Sequence, residues 1–151
     1  MTLEMLWEQG DPAEVLRTRF GFADGDAVGA WVGSMIEARW GFHVGLPERV
    51  VMSDRNALAW VRRGDERLLL KWSVASERFD RLSLAADVTG WLGAQGLPVS
   101  APVPTPAGEL QVVQDGVSMG LQRVIAGDLL DVEDPGPVSY THLTLPTNRE
   151  V

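Results

Sequence analysis

The chain has no cysteine, one lysine, one tyrosine, and no apolar run approaching the roughly 20 residues that a membrane-spanning helix needs. The absence of cysteine excludes disulfide scaffolds, zinc ribbons, iron–sulfur centres and thiol nucleophiles. Positive charge is scarce: 13 basic side chains face 21 acidic ones, for a net charge of −8. Such a balance argues against a surface that tracks nucleic-acid phosphates, which needs clustered Lys and Arg to displace counterions. The first ten residues carry Glu4 and Glu8 where a signal peptide needs positive charge. A cytoplasmic protein with neither membrane nor nucleic-acid partners is therefore expected. Gly-x-Ser-x-Gly, paired-histidine metal motifs and a lysine-containing P-loop are also missing, which removes the footing of hydrolase and P-loop readings. What remains is a chain of 151 residues, 45% hydrophobic and 23% charged, as expected of one soluble globular domain. That length buries roughly two-thirds of the unfolded surface without help from disulfides or a structural metal.

Local patterns divide the chain into elements. Asp11-Pro12-Ala13-Glu14 supplies an N-cap carboxylate, a proline at the first helical position and a second carboxylate three residues after the cap, predicting a short helix that ends near Gly21. From Asp26, Val28, Trp31, Val32, Met35, Ile36 and Trp40 recur at helical spacing and stop at Gly41, predicting about four turns. The period then changes. Arg49 to Ser53, Ala57 to Arg62 and Glu66 to Ser73 are strand-like, and the turn chemistry of Ser53-Asp54-Arg55-Asn56 and Arg63-Gly64-Asp65 joins them into three antiparallel strands.

Ser76 to Ala94 fits a helix ended by Gly96-Leu97-Pro98, with Phe79, Leu82, Leu84, Ala85, Val88, Trp91 and Leu92 as its apolar positions. Val99 to Pro106 is proline-rich and predicts an extended crossing rather than a packed element. Glu109 to Gln114 and Val117 to Val124 flank Asp115-Gly116, a strong hairpin signal. The fold class expected is α+β: an antiparallel sheet of about five strands with the Ser76 to Ala94 helix inserted and packed on one face, and two N-terminal helices outside it. Burial is the expected state of most of the six tryptophans, and the lone His43 is read as structural rather than as a metal ligand.

Five strands with a helix between the third and fourth is the order of a kinase small lobe. Added to that order are Leu68-Leu69-Leu70-Lys71 at the end of the third strand, Gly96-Leu97-Pro98-Val99 leading into Pro102-Val103-Pro104-Thr105, and Leu121-Gln122-Arg123-Val124-Ile125-Ala126-Gly127-Asp128-Leu129-Leu130. Together these resemble the N-terminal lobe of the aminoglycoside phosphotransferase family, which has a protein-kinase-like fold. The resemblance runs over about residues 48 to 131, and a structure with parallel strands would overturn it. It implies an N-terminal helical extension over 1–44, a nucleotide-binding lobe over 45–131 and a truncated end over 132–151.

The resemblance also implies roles. Lys71 takes the place of the lysine that contacts the α- and β-phosphates of ATP or GTP; the bland alternative is a strand lysine that keeps an edge soluble. Ser53 and Asn56 take the place of a phosphate-covering loop; the alternative is a hairpin turn that touches no ligand. Leu69, on the same strand face as Lys71, is placed against the base. Gln122 is at the gatekeeper-like position, with the Arg123 carbonyl and the Ile125 amide at the base edge. Where kinases pair the lysine with a helix glutamate, this chain has Ala85, and Asp87 and Glu77 both remain open as substitutes.

No catalytic aspartate in a His-Gly-Asp setting is present, so no residue of the chain is assigned a catalytic role, and the magnesium ligands are expected in a second lobe. The function implied is that of the nucleotide-binding piece of a small-molecule kinase, inactive alone, which phosphorylates a hydroxyl of an aminoglycoside-like or other small acceptor. The alternative is a non-catalytic module that uses the same lobe to hold a nucleotide or a partner. Finally, Val138 to Thr147 resembles the in-frame translation of a transposon-end adapter used in sequencing libraries. The single tyrosine, one of two histidines and three of seven threonines fall between Ser139 and Val151, whereas none of the six tryptophans does. Residues 138–151 are therefore expected to be non-native, and set aside in reasoning about the fold.

Overall fold

The computed structural model describes residues 1–126. The chain runs β1 (Thr2–Met5), α1 (Pro12–Phe20), α2 (Gly25–Trp40), β2 (Arg49–Met52), β3 (Asn56–Arg63), β4 (Glu66–Ser73), a 3-10 turn (Ser76–Arg78), α3 (Phe79–Ala94), β5 (Val112–Gln114) and β6 (Val117–Arg123). The adapter-like segment 138–151 and the Gly127-Asp128-Leu129-Leu130 motif lie outside the described residues.

The helix ends follow from local chemistry. The Asp11 carboxylate accepts from the Ala13 amide at 3.1 Å, Pro12 opens α1, and Gly21 closes it in the left-handed region at φ 77°. For α2 the cap is Asp24, which accepts from the Ala27 amide at 2.9 Å, and Gly41 ends the helix at φ 79°. The β5–β6 hairpin turns on Asp115 (φ 53°) and Gly116 (φ 76°), the two positive φ values that a two-residue loop of this kind requires.

The strands form one six-stranded sheet in the order β1-β2-β3-β4-β6-β5. Strands β2 to β6 are antiparallel neighbours, as expected. The sixth strand was not expected: β1 runs parallel to β2, Thr2 opposite Arg49 and Met5 opposite Met52. The expectation of a sheet without parallel strands is therefore corrected by this pair, which involves residues 2–5, outside the stretch that carries the resemblance, and leaves the five-stranded antiparallel unit of β2 to β6 intact. The proline-rich crossing is also less detached than its composition implies. The Val103 amide donates to Leu121 at 2.7 Å and the Arg123 amide to Ala101 at 3.0 Å, so the segment continues the edge of β6 beyond the short β5.

The core lies between the sheet and the first two helices. Leu16 of α1 and Val28, Val32 and Ile36 of α2 are fully buried against Val50, Ala59, Leu70 and Leu121, which occupy one row across four strands. Trp72 anchors this face: its ring meets Trp31 at 5.2 Å and Phe20 edge-on at 6.3 Å. Helix α3 lies on the opposite face and adds little to this core. Ala86 is its one buried side chain, while Leu84, Val88 and Trp91 are 63%, 50% and 62% exposed, a stripe at helical spacing. The two N-terminal helices, rather than α3, therefore supply the layer that buries the core face of the sheet. The tryptophans divide accordingly: Trp40 and Trp72 are buried, Trp31 and Trp60 half-buried, and Trp7 and Trp91 exposed.

This placement of the core is testable by urea denaturation. Leu70→Ala is expected to cost about 2–5 kcal/mol, and Leu84→Ala less than about 0.5 kcal/mol. Equal costs would put the core on the wrong face.

Candidate functional site

The face of the sheet turned away from α1 and α2 borders an open cleft of about 480 Å³, closed on one side by α3. Strand register decides what lines it. Val51, Leu58, Lys71 and Gly120 stand directly opposite one another on β2, β3, β4 and β6, so their side-chain directions share this face. One row towards the 3-10 turn come Asn56, Ser73 and Ser118, and one row the other way Arg49, Trp60, Leu69 and Gln122. Of the residues singled out by sequence, Lys71, Ser53, Asn56 and Gln122 line the cleft. Leu69 is half-buried on the same face, a row beyond Lys71, and is not part of the lining. Arg123 and Ile125 also stand outside it. The Arg123 side chain reaches Glu66 at 3.2 Å, and its carbonyl accepts the Ser100 hydroxyl at 2.6 Å, leaving one lone pair on that oxygen. Ile125 is 48% exposed.

Lys71 takes part in no ion pair among the described residues. Neither open substitute for its acidic partner fills that role. Glu77 bonds the Arg55 guanidinium instead, and this hydrogen bond holds its carboxyl below the ordinary carboxylate value. Asp87 is exposed and belongs to none of the ion pairs. Ala85 lies on the cleft wall, so α3 offers Lys71 a methyl group where a carboxylate would have neutralised it.

The β2–β3 connection is a two-residue turn, Asp54-Arg55, closed by the Ser53 amide donating to Asn56 at 2.9 Å. It is fastened from several sides. Arg19 donates to the Ser53 carbonyl at 3.4 Å, the Val74 amide to the Arg55 carbonyl at 3.0 Å, and the Ser73 hydroxyl to that same carbonyl at 3.3 Å. A turn this short cannot drape a run of backbone amides over a ligand, so polar contact at this end falls to side chains.

Three further features were not anticipated from sequence. Gly120 faces Lys71 across the strand pair, and a Cβ there would lie 2.5 Å from Gln111 Oε1. Its lack of a side chain lets Gln111 cross β6 and donate to the Ser118 hydroxyl at 2.8 Å. A glycine inside a strand is the signal that would have exposed this close approach. Trp7, 83% exposed, lines the mouth of the cleft, and Arg78 lines its α3 side. His43, by contrast, is a surface residue that meets Glu37 at 3.3 Å.

No family model and no curated protein matches the chain. Among solved structures it is similar to spectinomycin phosphotransferase in complex with ADP and spectinomycin, with a TM-score of 0.54 at 10% identity. The fold is that of a kinase-like N-terminal lobe. The match covers 66% of this chain and 30% of the phosphotransferase, so the chain spans about a third of that protein's length.

The Arg55–Glu77 pair gives this region a pH dependence of definite sign. A carboxyl whose value is lowered on folding contributes stability that is complete above its ordinary value of 4.5 and is lost as the pH falls through the lowered one. The pair is exposed, so its effect is small and screened by salt. The Tm of Glu77→Gln is expected to fall slightly below that of the wild type at neutral pH and to converge with it in acid. A gap that widened on acidification would contradict the assignment.

Proposed function

We propose that the chain is the nucleotide-binding lobe of a small-molecule kinase, one that transfers the γ-phosphate of ATP or GTP to a hydroxyl of an aminoglycoside-like or other small acceptor. The observation that carries this reading is Lys71. The one lysine of a chain with net charge −8 sits on a central strand of a kinase-like lobe, faces the cleft, and has no carboxylate partner among the described residues. A fixed, unneutralised cation in a concavity is what phosphate binding requires.

The residues fit a nucleotide. The cleft has the volume of a small-molecule site, which runs from about 300 to 1,000 Å³. In this reading Lys71, Ser53 and Asn56 hold the phosphates. The base lies one row away, against Leu69 and beside Gln122, with the Arg123 carbonyl and the Ile125 amide at its edge. The phosphotransferase similar to this chain is in complex with ADP and spectinomycin, which supports both a nucleotide and a small acceptor as partners.

Magnesium, when bound with the nucleotide, would neutralise phosphate charge. Among the described residues no group of three or more His, Asp or Glu side chains is able to hold it, so its ligands, like the base that activates the acceptor hydroxyl, are assigned to a second lobe. The uncovered stripe Leu84, Val88 and Trp91 is the surface we assign to contact with that lobe. Among the described residues no helix is long and apolar enough to cross a membrane.

Equilibrium binding of ADP tests the reading. Lys71→Ala is expected to weaken ADP about tenfold, the equivalent of about 1.4 kcal/mol. Undiminished affinity in that variant would remove Lys71 from the site. The 151-residue chain, given ATP or GTP with magnesium and a panel of aminoglycosides, is expected to yield no phosphorylated product. Turnover above background would show that the chain contains the catalytic groups after all.

A further inference from the structure

Lys71 is not the only cation in the cleft. Arg78, the last residue of the 3-10 turn and the N-cap of α3, lines it as well. Seven arginines of the described residues are each held by a carboxylate; Lys71, Arg17, Arg63, Arg78 and Arg81 are in none of these pairs, and of these five only Lys71 and Arg78 line the cleft. The acid next to it in sequence, Glu77, is committed to Arg55. In a chain with an excess of acids, neither of the two cations lining this cleft is in an ion pair among the described residues.

Arg78 sits where the 3-10 turn passes into α3. A helix N-cap favours Ser, Thr, Asp or Asn, whose side chains accept from the free amides of the first turn, and the positive end of the helix dipole disfavours a cation. Arg78 makes no side-chain cap bond. The 3-10 turn runs straight into α3: the Arg78 amide donates to the Ala75 carbonyl at 2.9 Å and the Phe79 amide to the Ser76 carbonyl, and Asp80 supplies a carboxylate in the first turn, whereas the Arg78 guanidinium is in none of the ion pairs among the described residues. A phosphate at this place would supply the guanidinium with a partner. The adjoining two-residue turn cannot supply backbone amides for the task, whereas a guanidinium offers five donors in a fork that matches phosphate oxygens.

We propose that Arg78 and Lys71 together form a phosphate site built from side chains, Lys71 on the inner phosphate and Arg78 on the terminal phosphate of a nucleoside di- or triphosphate. The order follows from the chain. Gln122 and Leu69 share one row, Lys71 is a row further on, Ser73 a row beyond that, and Arg78 follows past the end of β4. A nucleotide with its base at Gln122 thus extends its phosphates from Lys71 towards Arg78. The assignment rests on the nucleotide reading above.

The test compares ATP with adenosine, the same base without phosphates, by calorimetric titration of the wild-type chain, Arg78→Ser and Arg78→Lys. Arg78→Ser is expected to weaken ATP about tenfold and to leave adenosine within about twofold of the wild type. Arg78→Lys is expected to retain most of the ATP affinity, since a cation remains. Unchanged ATP affinity in Arg78→Ser, or equal losses for ATP and adenosine, would overturn the proposal. ATP binding that is lost in Lys71→Ala yet kept in Arg78→Ser would overturn it alone, whereas no ATP binding by the wild type would overturn the nucleotide reading with it.

Discussion

The register of β4 governs both faces of this molecule. Leu68, Leu70 and Trp72 alternate into the core at 3% exposure or less, and Leu69, Lys71 and Ser73 alternate towards the cleft. Because side chains along a strand have a period of two, a slip of one residue would bury the Lys71 ammonium among Leu16, Val32 and Trp31 and turn two leucines and a tryptophan to water. Either half of that exchange is costly: an unpaired buried charge on one side, lost apolar burial on the other. The hydrophobic demand of the α1/α2 layer thus aims the lysine. Core and site are two consequences of one alternation.

The same logic extends across the sheet. The row Val50, Ala59, Leu70, Leu121 packs under the helices, and the neighbouring row Val51, Leu58, Lys71, Gly120 faces the cleft. Among the described residues no acidic side chain lines the cleft, and several acids of the lobe are held by other cations. Glu77 holds Arg55, Glu8 holds Arg19, and Glu48 holds both Arg62 and Arg67. Two of these pairs also fix geometry, since Arg19 reaches the Ser53 carbonyl and Arg55 lies in the β2–β3 turn itself. The Glu8 and Glu77 pairs fasten the turn at the end of the cleft, and Lys71 and Arg78 stay outside the ion pairs of the described residues.

Much of the fold was legible in the sequence because its signals are local. Asp11, Pro12 and Gly21 delimit α1 within ten residues, and Asp115-Gly116 dictates a hairpin by its own backbone preferences. The edge strand β1 was not legible. It has four residues, and its partner, β2, lies more than forty positions away, so no local pattern marks it. By contrast, the face that α2 buries was marked by the spacing of Val28, Val32, Ile36 and Trp40, all of which are buried. In the site, Lys71 stood out by rarity, whereas Arg78 is one of many arginines. Its meaning arises only once Glu77 is seen to turn towards Arg55. The partner expected for Lys71 failed for a related reason: Ala85 occupies the cleft wall, and the nearby carboxylates are spent or turned outward.

The central claim is that the cleft face, rather than the helical face, holds a nucleotide. An amide-resolved NMR titration of the isotope-labelled chain with ADP tests it most directly. Shifts concentrated at Ser53 to Asn56, Leu69 to Ser73 and Gly120 to Arg123, with α1 and α2 unmoved, are the result this account predicts. Shifts concentrated in α1 and α2, or no shifts at saturating ADP, would contradict it.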